Sequence, residues 1–283
     1  MSSPPQPSLR QALTQIRDLG VERLDAQMLL LLALHRDPHD RAWLISHDLD
    51  PLPPEAANRL NALAQRRLSA EPMAYLQGEK DFFGLRLQVD PRVLIPRPDT
   101  ETLVSWALEV LRPIKTEARL VDLGTGSGAI ALAIKHQRPD LDVTATDASP
   151  DALAVAQANA ARLNLSVRFV QGSWLAAVPG MRFDVVVSNP PYIADDDGHL
   201  PALVHEPKSA LTSGADGLND LRSLVDTAPD ALLPDGWLLL EHGHDQAEHV
   251  RTLMLARGFV RVSSRNDLAG IARCTGGIWP EQR

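Results

Sequence analysis

The chain has 283 residues, of which 44% are hydrophobic and 23% charged, with a single cysteine, Cys274. That length suits two domains, and the composition excludes a disordered, collagen-like or disulfide-stapled chain. A formal net charge of −8, with no basic run longer than Arg66-Arg67, speaks against a protein that lives by nonspecific phosphate contacts, because those reward a basic surface. Lysine is rare, only Lys80, Lys115, Lys135 and Lys208, so the basic side chains are mostly arginine. The Ser/Pro/Gln-rich start, 1–10, has no apolar core of a signal peptide. The apolar run 28–34 is far short of the roughly 20 residues that span a bilayer. A soluble, cytoplasmic protein without a membrane segment is expected.

Residues 8–70 carry helical spacing. Leu9, Leu13, Ile16 and Leu19 recur at three and four, with Gly20 as a stop. Leu24, Met28, Leu31 and Leu32 form a second stripe, and Pro54 opens a third helix carrying Ala57, Leu60, Ala64 and Leu68. Nothing here looks catalytic, and a small helical domain over 1–72 that holds a partner or caps the larger domain is the economical reading. Residues 73–97 read as a linker. Prolines 72, 91, 96 and 98 bracket the stretch 81–89, two short strands around a glycine turn. From 98 to 283 strands and helices alternate. Strands are predicted at 120–123, 142–146, 167–170, 183–188, 237–241, 259–262 and 271–274, with helices at 129–137, 152–163 and about 218–233. Such alternation predicts an α/β domain with a mostly parallel, seven-stranded, Rossmann-like sheet covered on both faces.

Two constellations carry chemistry. The first is Asp122-Leu123-Gly124-Thr125-Gly126-Ser127-Gly128 between a strand and a helix. Glycines there let backbone approach a ligand closely, and the helix start aims amides at it. The next predicted strand ends at Asp147, where a carboxylate can accept from ribose hydroxyls. The G-x-G-x-G spacing is shorter than the dinucleotide fingerprint and favours S-adenosylmethionine, with a tight turn lacking any ligand as the structural alternative. The second constellation is Ser188-Asn189-Pro190-Pro191-Tyr192, just beyond the fourth strand, where ligands sit in open α/β sheets. It suits methylation of a planar nitrogen, whose delocalised lone pair is a poor nucleophile. The Asn189 side-chain oxygen and the Pro190 carbonyl can each accept one N–H of an NH2 group and so orient that nitrogen. Pro191 lacks an N–H and stiffens the turn, and the Tyr192 ring can pack on a planar group.

With these motifs the sequence resembles the release-factor glutamine methyltransferases (PrmC/HemK type), over nearly its whole length. The resemblance rests on Arg23-Leu24-Asp25-Ala26, Glu71-Pro72-Met73-Ala74-Tyr75-Leu76, and Leu94-Ile95-Pro96-Arg97-Pro98-Asp99-Thr100-Glu101. It rests equally on the glycine turn, Asn189-Pro190-Pro191-Tyr192, and Leu239-Leu240-Glu241-His242-Gly243. It implies a class I S-adenosylmethionine-dependent methyltransferase acting on N5 of the glutamine in the Gly-Gly-Gln motif of peptide chain release factors, with S-adenosylhomocysteine as product. By position, Gly124, Thr125, Gly126, Ser127, Gly128, Asp147, Trp174 and Asn189 would bind the cofactor, with Trp174 against the adenine. Asn189, Pro190, Pro191 and Tyr192 would hold the glutamine, with Asn189 and Pro190 as the catalytic pair. Two positions depart from the family: Ser173 stands where an Asp usually accepts from the adenine amine, and His205 where an aromatic often precedes Glu206-Pro207.

Other residues stay open. Asp99 and Glu101 either cap the following helix or serve the site. Arg97 either orders the substrate loop or fixes the domain junction. Asp122 either neutralises the methionine amine through water or is a structural strand end. His242, His244 and His249 match no closed zinc pattern, and no metal is expected. Asp195-Asp196-Asp197 reads as a solvated loop and Cys274 as a buried strand residue. The rival readings are an adenine-N6 or guanine-N2 nucleic-acid methyltransferase, which needs a target-reading region, and a cofactor-binding adaptor without turnover. A monomer that touches release factors and no nucleic acid directly is expected.

Overall fold

The computed structural model describes residues 6–113 and 117–281; Lys115 and residues 1–5 of the proline-rich start lie outside them. The chain divides into two compact units, the first ending at Gly78 and the second starting at Glu79.

The first unit is helical: α1 (Leu9–Asp18), α2 (Arg23–Ala33), α3 (Arg41–Ser46), α4 (Pro54–Leu68) and α5 (Met73–Gln77). A reciprocal capping box starts α1. The Ser8 hydroxyl accepts from the Gln11 amide at 3.2 Å, and the Gln11 side chain accepts from the Ser8 amide at 2.8 Å. Pro54 occupies the first turn of α4, where its missing N–H costs nothing. The buried faces differ from the expected stripes. In α2 the core takes Ala26, Leu29, Leu30, Leu31 and Ala33, while Leu24 is exposed. In α1 Ala12 joins Leu9 and Ile16, and in α4 Ala56 joins Leu60 and Ala64, leaving Leu19 and Leu68 exposed. The reason is physical. Small alanines let backbones approach, and a helix as leucine-rich as α2 offers several apolar faces between which spacing cannot choose. Helix α3 was not expected; Asp40 caps it by accepting from the Trp43 amide at 3.1 Å.

The stretch 73–97 divides at the unit boundary. Residues 73–77 form α5, which Gly78 ends in a left-handed conformation. The second unit opens with a hairpin of β1 (Glu79–Phe82) and β2 (Leu85–Gln88). Phe83 and Gly84 both have positive φ, +48° and +77°, which gives the primed turn whose twist suits two-residue hairpins. A 3-10 turn, Pro98–Thr100, leads into α6 (Glu101–Leu111).

The expected seven-stranded sheet follows, built from β3 (Arg119–Leu123), β4 (Asp142–Asp147), β5 (Arg168–Gln171), β6 (Phe183–Ser188), β7 (Leu232–Glu241), β8 (Val260–Asn266) and β9 (Ala272–Ile278). Its order is β5-β4-β3-β6-β7-β9-β8; the first five are parallel and β9 is antiparallel to both neighbours. Helices α7 (Ala129–Gln137), α8 (Pro150–Leu163), α9 (Asn219–Thr227) and α10 (Ala247–Arg257) connect the strands. Side chains alternate between two cores. Leu120, Val185, Val187 and Leu239 join α6 and α7, whereas Val121, Val186, Leu238 and Leu240 join α9 and α10. Both faces being covered, the strands read as nearly unbroken apolar runs. One element departs from expectation: the helix placed at 218–233 ends at Thr227, and β7 begins already at Leu232. Pro229 in the 3-10 turn 228–230 cannot continue an α-helix, and a bulge opposite Phe183–Val185 carries 233–236 before regular pairing resumes at Trp237.

Candidate active site

Parallel register aligns the carboxyl ends of four adjacent strands. Leu123 lies beside Thr146 on one side and Ser188 on the other, and Asp147 lies beside Gln171. The chain order reverses between β3 and β6, so loops leave the sheet in opposite directions and open a crevice there. A cavity of about 330 Å³ fills it, walled by Gly124 and Gly126 after β3, Asp147–Ser149 after β4, Gly172–Trp174 after β5, and Asn189 and Pro191 after β6. Pro207, Ser209, Ala210 and Asp220 line it as well, with Arg92–Leu94 from beyond the hairpin. That volume is of the size that holds a nucleoside-like ligand.

The glycine wall is braced from behind. The amides of Gly124 and Thr125 both donate to the Thr146 carbonyl at 2.9 Å, and the Thr125 hydroxyl donates to Asp122 at 2.6 Å. Gly126 has φ +56°, and a Cβ there would meet nothing within 4 Å, so its backbone itself forms the cavity wall. Gly128, at φ +86°, starts α7 instead; a Cβ there would lie 2.9 Å from Leu132. Thr125, Ser127 and Gly128 therefore stand behind the wall, while Gly124, Gly126, Asp147, Trp174 and Asn189 line the cavity. Asp147 accepts from the Gly126 amide through one oxygen and the Ser149 amide through the other, both at 2.9 Å. Each oxygen keeps a further lone pair.

Trp174 sits in the left-handed region at φ +46°, and a Cβ on Gly124 would come within 3.0 Å of its ring. Its indole N–H donates to Asp220 at 3.2 Å, and the other Asp220 oxygen accepts from the Ser213 hydroxyl at 2.7 Å. Asn159 is a second brace that sequence reading passed over. Buried in α8, its amide donates to the Gln88 and Ser127 carbonyls at 3.0 Å and accepts from the Gln88 amide at 2.7 Å. It thereby ties hairpin, helix and glycine turn together. One signal was visible: a polar residue on the apolar stripe of an alanine-rich helix. Asp220 carried no comparable signal.

Within Asn189-Pro190-Pro191-Tyr192, Asn189 and Pro191 line the cavity; Pro190 and Tyr192 do not. The Asn189 amide nitrogen donates to the Thr100 hydroxyl at 3.2 Å. Tyr192 packs against the second core, its carbonyl accepts from Gln246 at 3.0 Å, and its hydroxyl reaches Glu241 at 3.5 Å. Burial, then the Glu241 charge, raises the Tyr192 hydroxyl above its ordinary value, so it stays protonated. Burial pushes two carboxyls up to about 7: Asp122, despite donors from Thr125 and the Ala131 amide, and Glu241, despite Thr100. One oxygen of each has no hydrogen-bond partner among the described residues.

The open candidates find places. Arg97 pairs with buried Glu206, which also accepts from the Ile95 amide at 3.1 Å, so it fastens the loop that carries Pro207. Asp99 faces Arg273 at 3.5 Å. Glu101, in the first turn of α6, accepts from the Phe83 amide at 2.9 Å and holds the hairpin tip. Burial lowers His242, whose nitrogens engage the Gly243 carbonyl and the Thr275 hydroxyl. Cys274 is buried in β9. No helix among the described residues is long and apolar enough to cross a membrane.

Comparison with known proteins agrees with this architecture. Residues 8–78 match the PrmC N-terminal domain and 101–240 the methyltransferase small domain. The chain is 49% identical over 265 residues to a release factor glutamine methyltransferase of Bordetella pertussis, covering 93% of this chain and 97% of that protein. A protein of the same name from Burkholderia pseudomallei is 47% identical, covering 97% and 98%. A methyltransferase structure from Pyrococcus furiosus shares the fold at a TM-score of 0.55, with 20% identity, over 76% of this chain and 97% of that one. The protein is thus a methyltransferase, and the chain belongs to the release factor glutamine methyltransferase family.

Proposed function

We propose that this enzyme transfers a methyl group from S-adenosylmethionine to the side-chain amide nitrogen (N5) of the glutamine in the Gly-Gly-Gln motif of peptide chain release factors. One observation carries the reading: Asn189, at the head of the Asn-Pro-Pro-Tyr turn, lines the same cavity as the glycine wall and Asp147. A methyl-donor nucleoside and a planar NH2 group therefore have a shared room.

The residues present fit that donor. Gly126 leaves open the space a Cβ would take, Asp147 keeps lone pairs for ribose hydroxyls, and Trp174 and Gly124 offer flat apolar surface. In place of the family's Asp at position 173, the nearby Asp220 supplies a carboxylate at the cavity wall. S-adenosylmethionine supplies a methyl group on a sulfonium sulfur, electrophilic enough for direct transfer. The remaining work belongs to this chain. Asn189 Oδ1 accepts an N–H of the glutamine amide and orients its nitrogen for in-line attack, whereas Pro190, whose carbonyl was expected as the second acceptor, lies outside the cavity lining. Pro191 stiffens the turn, and Tyr192 anchors it to β7 and α10 through Glu241 and Gln246. The alkylated nitrogen is far more acidic than an amide and releases its proton to water, so no dedicated base is needed. The helical unit, 1–72 in the sequence reading with a linker over 73–97, contacts a second face of the release factor. The enzyme acts as a monomer in the cytoplasm.

Incubation with labelled S-adenosylmethionine and release factors bearing Gln or Ala in the motif tests the assignment. Label is expected on the Gln form alone; label on both, or on DNA or RNA instead, defeats it.

A further inference from the structure

Resting on the reading of the cavity as a methyl-donor site, we propose that Asp220 is a positioning residue for the donor: with Ser213 it fixes the Trp174 indole as a flat wall offered to the donor's adenine. Such a wall needs support. Trp174 sits in the left-handed region at φ +46°, which a bulky residue rarely adopts, and only one edge of its indole carries an N–H. Its ring lies close over Gly124, where a Cβ would come within 3.0 Å, and it packs partly buried on the second core. Apolar contacts of this kind do not tell one ring orientation from the flipped one. An acceptor placed at the N–H edge does.

Asp220 is that acceptor. Its Oδ1 accepts from Trp174 Nε1 at 3.2 Å, and its Oδ2 accepts from the Ser213 hydroxyl at 2.7 Å. The sense of the second bond is fixed. Ser213 Oγ also accepts from the Asp220 backbone amide at 2.8 Å, and its one proton goes to the carboxylate. Asp220 and Trp174 line the cavity, whereas Ser213 is buried at 3% exposure and does not. Ser213 therefore reaches the donor space only through the carboxylate it steadies. Each Asp220 oxygen keeps a further lone pair, so a direct bond from the donor's amine to this carboxylate is the rival reading. Asp220 also lies in the first turn of α9, where any carboxylate is favoured, but that role alone asks nothing of Trp174.

Ser213 is itself anchored on the exit of the Asn-Pro-Pro-Tyr turn. Its amide donates to the Ile193 carbonyl at 2.9 Å, and the Leu211 carbonyl accepts from the Tyr192 and Ile193 amides at 3.2 and 2.9 Å. The Asp195 amide donates to the Gly214 carbonyl at 3.0 Å. The residues that leave the turn thus carry the segment 211–214, and one hydroxyl of that segment carries the carboxylate behind the wall. β5 delivers Trp174 and β6 delivers Asn189, and β4 and β3 stand between those strands in the sheet. The strut through Ser213 and Asp220 joins across the top of the sheet what the strand order keeps apart.

The test uses the full chain and S-adenosylhomocysteine, the stable product, in calorimetric titration. Asp220→Ala should weaken binding by about tenfold, and Ser213→Ala, which leaves the cavity lining untouched, by about threefold. Asp220→Asn should stay within about threefold of wild type, because its amide oxygen still accepts from Trp174 while its NH2 turns to the Ser213 hydroxyl. A double-mutant cycle decides between the readings. In Trp174→Phe, which lacks the N–H, Asp220→Ala should cost less than about a further twofold. A full tenfold loss in that background means that Asp220 meets the donor itself and overturns the positioning role. Wild-type affinity in Asp220→Ala, or a loss of stability alone, overturns it too. A spectroscopic readout needs no ligand. The Trp174 indole N–H resonance, identified by its loss in Trp174→Phe, should move upfield in Asp220→Ala; a resonance that stays in place defeats the proposal. A wild-type chain that shows this coupling yet leaves release factor unmethylated defeats only the substrate reading. One that binds no S-adenosylhomocysteine defeats the donor reading and this proposal with it.

Discussion

At the scale of single residues, the site separates groups that face the ligand space from groups that hold them. Asn189→Ala should lose most of the methyl-transfer rate yet keep donor affinity within about threefold, because the clamp acts on the acceptor nitrogen. Equal loss of both, measured by kinetics and calorimetric titration, would recast Asn189 as a binding residue. The two glycines after β3 make a sharper contrast. Gly126→Ala meets no protein atom within 4 Å and pays only the strain of φ +56°, about 1 kcal/mol, but its methyl occupies the cavity wall. Donor affinity should fall by about tenfold or more while the melting temperature barely moves. Gly128→Ala drives a Cβ to 2.9 Å from Leu132 at φ +86°, so its loss should appear in stability first. Matching effects on melting and affinity in both variants would contradict this division. The glycine motif was legible as a motif; which glycine meets the ligand and which starts the helix was not, because G-x-G-x-G spacing says nothing of where each Cα faces.

At the scale of elements, the crevice exists because four parallel strands end level and their loops part at the order reversal between β3 and β6. Loops so placed need bracing, and Asn159 of α8 provides it for both the hairpin and the glycine turn. Asn159→Leu keeps the bulk and strands three hydrogen-bonding groups, the partly buried amide and carbonyl of Gln88 and the buried carbonyl of Ser127. A loss of about 2 to 4 kcal/mol in unfolding free energy is expected, with weaker donor binding because the turn is loosened. Chemical denaturation alongside donor titration checks this, and a variant as stable as wild type would show that Asn159 braces nothing. The strands and most helices were readable from period and punctuation. The end of α9 and the start of β7 were not, since a bulge and a 3-10 turn at Pro229 leave no periodic trace. The buried face of α2 was equally hidden, because eight of its residues in a row from Ala26 offer apolar or neutral surface with no single preferred side.

At the scale of the whole molecule, two buried carboxyls set an unusual pH dependence. Asp122 and Glu241 titrate at about 7 in the folded protein, above the ordinary carboxylate values they regain on unfolding. The folded state therefore binds more protons between about pH 4 and 7, and stability falls as pH rises through that window, then levels. The shifts correspond to ceilings of about 4 kcal/mol for Asp122 and about 3 kcal/mol for Glu241. Ion-paired or backbone-bonded carboxylates such as Asp90 and Asp267 have lowered values and act oppositely, losing their contribution only as pH falls below the ordinary range. Urea midpoints should thus be higher near about pH 5.5 than near about pH 8, and Glu241→Gln should be the more stable protein at the higher pH. A flat profile, or one rising with pH, contradicts the burial of these charges. The amino-acid order by itself determined the helical front, the alternating sheet, the glycine turn and the Asn-Pro-Pro-Tyr turn, because each is written in local period, turn chemistry and spacing. Only the tertiary structure decided that these turns share one cavity, that Thr100 stands behind Asn189, and that Asp220 and Asn159 serve the site. Those contacts join residues far apart in the chain, through burial and hydrogen bonds that exist only once the sheet has closed its two cores.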